Sequence, residues 1–216
     1  MMLTCPLCAS TDTGHFHRDG RRDYHRCGHC ALVFVPPAQR LGLVNERKVY
    51  DQHENTPHDP GYRRFLSRLY EPLRMRLSPS AQGLDFGSGP GPTLSVMFEE
   101  AGHPMAIYDP FYAPDVSVLE QSYDFITASE VAEHLFAPGR ELARLADLLS
   151  VGGWLGLMTK RVTTPEAFMR WHYILDPTHV VFFSEATFRW LADELEMHVE
   201  FPAADVVLFH KHKRRG

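Results

Sequence analysis

The chain has 216 residues, enough for one ordinary α/β domain plus a small appendage, and 44% hydrophobic and 12% aromatic content suits a sizeable core. A formal net charge of −5 weighs against a general nucleic-acid binder, which needs a basic face for phosphate. No apolar run reaches the roughly 18 residues of a transmembrane helix, and Met1-Met2-Leu3 leads straight to a cysteine pair, so neither a membrane span nor a secretion signal is expected and a cytoplasmic location follows.

All 4 cysteines fall in Cys5-Pro6-Leu7-Cys8 and Cys27-Gly28-His29-Cys30. Two C-x-x-C turns can bring four thiolates around one tetrahedral ion, so Cys5, Cys8, Cys27 and Cys30 are read as ligands of a structural zinc, with iron as the other ion that suits four thiolates. The polar segment between them fits a hairpin turning near Asp19-Gly20, and it holds too few apolar residues to fold without the metal. Two disulfides or a redox pair are the rivals. The absent secretion signal opposes the first, and the missing βαβ context opposes the second. Ala31-Leu32-Val33-Phe34-Val35 reads as a last strand stopped by Pro36-Pro37, which bounds a zinc-ribbon-like module at 1–37.

Residues 38–59 are polar, with His53, Asn55 and His58, and read as a linker. Phe65, Leu66, Leu69, Leu73 and Leu77 then recur at helical spacing. Next comes Gly83-Leu84-Asp85-Phe86-Gly87-Ser88-Gly89-Pro90-Gly91-Pro92, a short strand running into alternate glycines and a helix that opens with proline. Such a strand end beside a helix N-terminus is where an open α/β sheet binds nucleotide-like ligands. Proline at 92 breaks the dinucleotide G-x-G-x-x-G, and no Lys-Ser/Thr follows to make a P-loop. Residues 103–108 read as a second strand ending in Asp109, placed to accept hydrogen bonds from a ribose. Residues 123–128 form a third clear strand, leading into Ser129-Glu130-Val131-Ala132-Glu133-His134-Leu135. An amphipathic helix over 138–150 and a strand over 151–159 follow.

The D-F-G-S-G-P-G turn resembles motif I of the class I S-adenosylmethionine (SAM) methyltransferases, E-V-x-E-H resembles their motif IV, and L-x-x-G-G-x-L matches their turn into the fifth strand. The resemblance covers roughly residues 60–210 and makes 60–216 the methyltransferase domain. It implies an α/β, Rossmann-like, mostly parallel seven-stranded sheet, with the third-strand region abbreviated to residues 116–119. It implies SAM as cofactor, held by Asp85, Phe86, Gly87, Ser88, Gly89, Gly91, Asp109, Pro110 and Glu130, with Tyr62 on a covering helix.

Glu130, Glu133 and His134 stand at i, i+3 and i+4, one face of a helical turn and a credible divalent-cation shell. The ubiquinone-biosynthesis O-methyltransferases carry a similar E-x-x-E-H and imply magnesium there. Trp171, His172 and Tyr173 belong to an aromatic insertion expected to roof the substrate. Asp176-Pro177-Thr178-His179-Val180 is familiar from small-molecule methyltransferases, where the histidine turns to the acceptor. Ser184 reads as a helix N-cap. The expected function is methyl transfer to a small-molecule hydroxyl or carbon, with His134 or His179 as base and Glu133 as its orienting partner. Two other classes share these features: a non-catalytic SAM-binding adaptor that docks a partner through the knuckle, and a nicotinamide oxidoreductase. The absence of an N/D-P-P-F/Y run after the third strand lowers nucleic-acid methylation.

Overall fold

The computed structural model describes residues 3–52 and 56–212, without the side chain of Leu43; His53, Asn55 and most of the basic run 211–215 lie outside them. Strands β1 (Thr13–Arg18) and β2 (Asp23–Cys27) form the expected hairpin, and β3 (Val33–Phe34) adds to it. Helix α1 (Leu43–Tyr50) occupies the segment read as a linker. Helix α2 (Pro60–Arg74) starts with proline, and Asp59 caps it by accepting from Gly61 N at 2.7 Å. Then come β4 (Gly83–Phe86), α3 (Thr93–Glu100), β5 (Met105–Tyr108), β6 (Tyr123–Ser129), α4 (Pro138–Leu148) and β7 (Leu149–Met158). The chain closes with α5 (Pro165–Met169), β8 (Val181–Phe182), α6 (Glu185–Glu194), β9 (Met197–Ala203) and β10 (Val206–Lys211). Ser184 does cap α6, in a reciprocal capping box with Thr187.

The main sheet has the order β5-β4-β6-β7-β10-β9, parallel from β5 to β7 and antiparallel beyond. From β4 the chain first steps to β5, then crosses to β6 on the other side. That switch opens a crevice at the carboxyl ends of β4 and β6. Period-two alternation in β10 sends Val206 and Leu208 against α2 and α3, while Val207 and Phe209 face the layer of α4 and α6. Among the described residues no helix is long and apolar enough to cross a membrane.

One expectation needs correction. The sheet has six strands among the described residues, not seven. Asp109 and Ala113 exchange backbone hydrogen bonds in a tight turn, and Asp115 then caps a 3-10 turn over Val116–Glu120 through Ser117 N at 2.9 Å. So short a segment satisfies its backbone locally and leaves nothing to pair at the edge. The sheet of the cysteine knuckle has the order β1-β2-β3-β8 and so takes its fourth strand from beyond residue 180.

Candidate active site

The glycine turn after β4 and the turn after β6 interlock. Gly87 has φ +74°, and a Cβ there would stand 2.4 Å from Val131 Cγ2, so only glycine both turns the chain and leaves room for Val131. Gly89 has φ +64° with nothing near its missing Cβ, so conformation alone selects it. Opposite them Glu130 takes φ +53°, its N–H bonded to Met158 O at 2.7 Å. This sharp turn ends β6 before the 3-10 turn Ala132–His134 begins.

Around this junction lies a cavity of about 970 Å³. Its lining includes Tyr62, Asp85, Phe86, Gly87, Ser88, Gly89, Gly91, Asp109, Pro110 and Glu130, together with His134, His172, Tyr173 and His179. Asp109 ties the turn down: its Oδ2 accepts from Gly89 N at 3.0 Å, and its Oδ1 from Phe111 N at 2.8 Å and Tyr112 N at 3.0 Å. A carboxylate has about four lone-pair positions, so one remains for a ligand. Asp85 is fully enclosed. Burial pushes its carboxyl up to about 7, against the Thr127 hydroxyl that donates to Oδ1 at 2.7 Å. Burial, then the charge of Glu133, pushes Glu130 up to about 8. Burial raises the Tyr62 phenol to about 12, and its ring stacks on Phe65 at 6.0 Å. Ser88 Oγ and Glu130 Oε1 are buried with no hydrogen-bond partner among the described residues. Buried polar atoms with open hydrogen-bonding capacity beside this glycine turn suit a polar, nucleoside-like ligand.

At the other end, Glu133, His134 and His179 each offer a ligand atom within 4.8 Å of the others. Glu133 lies behind the cavity wall, fully buried, and Tyr173 Oη donates to its Oε1. Its Oε2 has no partner among the described residues, and burial pushes the carboxyl up. His179 Nδ1 meets Tyr173 O at 2.7 Å, which makes that nitrogen the donor and leaves Nε2 as the lone-pair atom, 3.7 Å from Asp176 Oδ2. Burial, then the charge of His134, holds this imidazole below its ordinary value. His134 Nδ1 is likewise held to Thr178 O at 3.2 Å, and the two rings meet edge to face at 4.7 Å.

The magnesium set Glu130, Glu133 and His134 does not assemble. The left-handed Glu130 precedes the 3-10 turn, so those residues do not share one helical face, and His179 takes the third place. Two imidazole nitrogens with one carboxylate also suit magnesium poorly, since it takes oxygen ligands. Trp171 lies outside the cavity lining: it packs in the aromatic layer of Phe168, Tyr173 and Phe182. His172 is at the rim, where Lys160 Nζ donates to its Nε2 at 2.9 Å. Sequence reasoning missed Lys160, Asp176 and Tyr50, whose ring stands 5.3 Å from His134. The D-P-T-H motif contains Asp176, but nothing in the sequence marks Tyr50.

The cysteines form a second, separate group. Cys5 and Cys30 sulfurs are 3.5 Å apart, as are those of Cys8 and Cys27, and all four lie within 4.8 Å of one another. Disulfides would need about 2.05 Å, whereas a tetrahedral zinc with bonds of about 2.3 Å spaces its sulfurs by about 3.8 Å. Each C-x-x-C turn is closed by an alanine of positive φ, Ala9 at 58° and Ala31 at 60°. This spacing fits a tetrathiolate ion.

Comparison with known proteins gives consistent results. A sequence profile described as a methyltransferase domain matches residues 62–199. No curated protein matches the chain. The fold is similar to magnesium protoporphyrin IX methyltransferase from Synechocystis PCC 6803 with bound SAH, at 14% identity and TM-score 0.55, over 78% of this chain and 94% of that one. It is similar also to the Burkholderia thailandensis 1,6-didemethyltoxoflavin-N1-methyltransferase with bound 1,6-didemethyltoxoflavin and S-adenosylhomocysteine. That match has 16% identity and TM-score 0.54, over 91% and 98% of the two chains.

Proposed function

The chain belongs to the methyltransferase-domain family, and from that premise we propose that it methylates a hydroxyl or carbon of a small molecule, using SAM. The observation that carries the proposal is one cavity joining the Gly87–Asp109 turn to the His134–His179 cluster. A volume of about 970 Å³ is of the size that holds a cofactor beside a small acceptor. Family membership sets aside the nicotinamide oxidoreductase.

When bound, SAM supplies an electrophilic methyl on a sulfonium. The residues to hold it are those of the glycine turn, with the remaining Asp109 lone pair accepting from a ribose hydroxyl, Ser88 and Glu130 offering their unpartnered atoms, and Tyr62 and Pro110 closing over it. The protein's further work is alignment and proton removal. His179 is the base we favour. Its Nδ1–H is fixed on Tyr173 O, and its neutral Nε2 takes the acceptor's proton, after which the Asp176 carboxylate at 3.7 Å steadies the charged ring. Glu133 holds the Tyr173 phenol, and through Tyr173 the orientation of His179; His134 backs the base edge-on and takes its role if the acceptor reaches that side. His172 and Tyr173 contact the acceptor. The cysteine cluster holds structural zinc: four thiolates close its coordination and leave no position for chemistry.

The test is methyl transfer from labelled SAM across a panel of phenols, hydroxy acids and activated-carbon acids. Full turnover after replacing both His134 and His179 by alanine would sink the proposed base.

A further inference from the structure

The tip of the β1–β2 hairpin reaches across to the loop that carries His179. Asp19 Oδ1 accepts from the N–H groups of Arg21 and Arg22, both at 2.7 Å, and Asp19 Oδ2 accepts from Tyr24 Oη at 2.7 Å. An aspartate closing its own turn in this way fixes the direction of the residues after it. Arg22 is turned inward and is only 6% exposed. Its guanidinium has no carboxylate within 4 Å among the described residues. Nη1 donates instead to the carbonyls of Pro177 at 3.0 Å and His179 at 2.9 Å, and Nη2 to those of Ile174 at 2.7 Å and Asp176 at 2.9 Å.

The Ile174 carbonyl belongs to the end of the 3-10 turn His172–Leu175, where C=O groups lack a partner within the turn, and the other three follow it. Four acceptors therefore converge on one point, and a planar guanidinium with donors in a fixed fork can satisfy them together; a lysine ammonium, with three donors, cannot. The outer face of the 174–179 loop is thus held by the hairpin, while its inner face presents Asp176 and His179 to the cavity. The loop's exit is pinned by the same module: Val35 N donates to Val180 O at 2.8 Å, and β3 pairs with β8 immediately after.

We infer that the cysteine module is the scaffold for the acceptor half of the site, and that Arg22 is a positioning residue that sets the place of His179 by clamping the carbonyls of its loop. This deepens the methyltransferase reading and rests on it for the role of His179. It also gives the metal a purpose. By closing the knuckle, the ion rigidifies the hairpin from which Arg22 projects, so metal occupancy and acceptor-loop order are linked.

Hydrogen exchange on the full-length protein tests this without an acceptor. In Arg22→Ala the amides of Thr178, His179 and Val180 should exchange at least tenfold faster, and the His179 Nδ1–H resonance should broaden or vanish. The Gly87 amide and S-adenosylhomocysteine affinity should change less than about twofold. Arg22→Lys should recover the resonance in part. Arg21→Ala, which loses only a bond to Leu175 O from an exposed side chain, should match the unaltered protein. Unchanged loop exchange in Arg22→Ala overturns the inference. If that variant does not fold, the unaltered protein decides in low denaturant: the Val180 and Val33 amides should open as one unit, and a loop that opens while β2 and β3 stay protected contradicts the clamp. Failure of S-adenosylhomocysteine to bind the unaltered protein would refute the methyltransferase reading instead, and leaves the exchange result standing.

Discussion

Replacing Gly87 by alanine probes the junction on which the site is built. Two separable penalties follow from the geometry. A non-glycine residue at φ +74° costs roughly 1–2 kcal/mol in backbone conformation. A methyl group 2.4 Å from Val131 Cγ2 forces that side chain or the turn to move, which costs roughly 1–3 kcal/mol more. We expect a loss of about 3 kcal/mol, or ~6–12 °C in Tm for a domain of this size. Gly89→Ala carries only the first penalty, because nothing lies within 4 Å of its Cβ position, and should lose about 1–2 kcal/mol. Urea unfolding of Gly87→Ala, Val131→Ala and the double variant separates the two. The cycle should show a favourable coupling of roughly 1–3 kcal/mol, since trimming Val131 makes the room that the new methyl group needs. Equal losses at the two glycines, or no coupling with Val131, would refute the interlocked-turn description.

Asp85 makes a prediction about pH. Its native carboxyl stands near 7, above the roughly 3.9 of an unfolded aspartate, so the native state holds this proton more tightly. Its contribution is fully present below about pH 4 and is lost as pH rises through about 7. Asp85→Asn lacks that dependence, so its stability relative to the parent should grow by about 1.4 kcal/mol per pH unit between roughly pH 4 and 7; parallel curves would contradict the burial argument. His179→Ala should lower turnover roughly 10²–10⁴-fold. In the parent, the acid limb of kcat/KM should fall below 6.5, because the imidazole is held down by burial and His134, and must be neutral to act; a limb at or above that value would exclude it as the base. Metal analysis should find zinc at about one equivalent per chain, and its removal should lower Tm and unfold β1–β3 first. A metal-free protein of unchanged Tm would remove the structural role.

The part of the cavity around the glycine turn was legible because local chemistry dictates it. Alternate glycines after an apolar strand, proline at the helix start and an acid at the next strand end each mark a backbone requirement within a few residues. The part around His134 and His179 was legible in its residues but not in its geometry. E-V-x-E-H spells a helical face, yet Glu130 adopts positive φ and the turn after it is 3-10, so the triad that forms is Glu133, His134 and His179. Residues 116–119 read as a strand remnant but close as a turn, because the aspartates at 109 and 115 supply local partners. Pairing of β3 with β8 joins distant parts of the chain, and Arg22 reaches carbonyls 152 and 154 positions away. No periodicity or motif encodes a contact at that separation; it arises only when the sheet has folded.

The most direct measurement is thermal unfolding with S-adenosylhomocysteine, with NADH and without ligand. At a hundredfold excess over its dissociation constant, S-adenosylhomocysteine should stabilise the fold by about 2.7 kcal/mol, seen as a rise of ~5–10 °C, while NADH does nothing. No shift with S-adenosylhomocysteine at millimolar concentration, or a shift with NADH alone, would contradict the account.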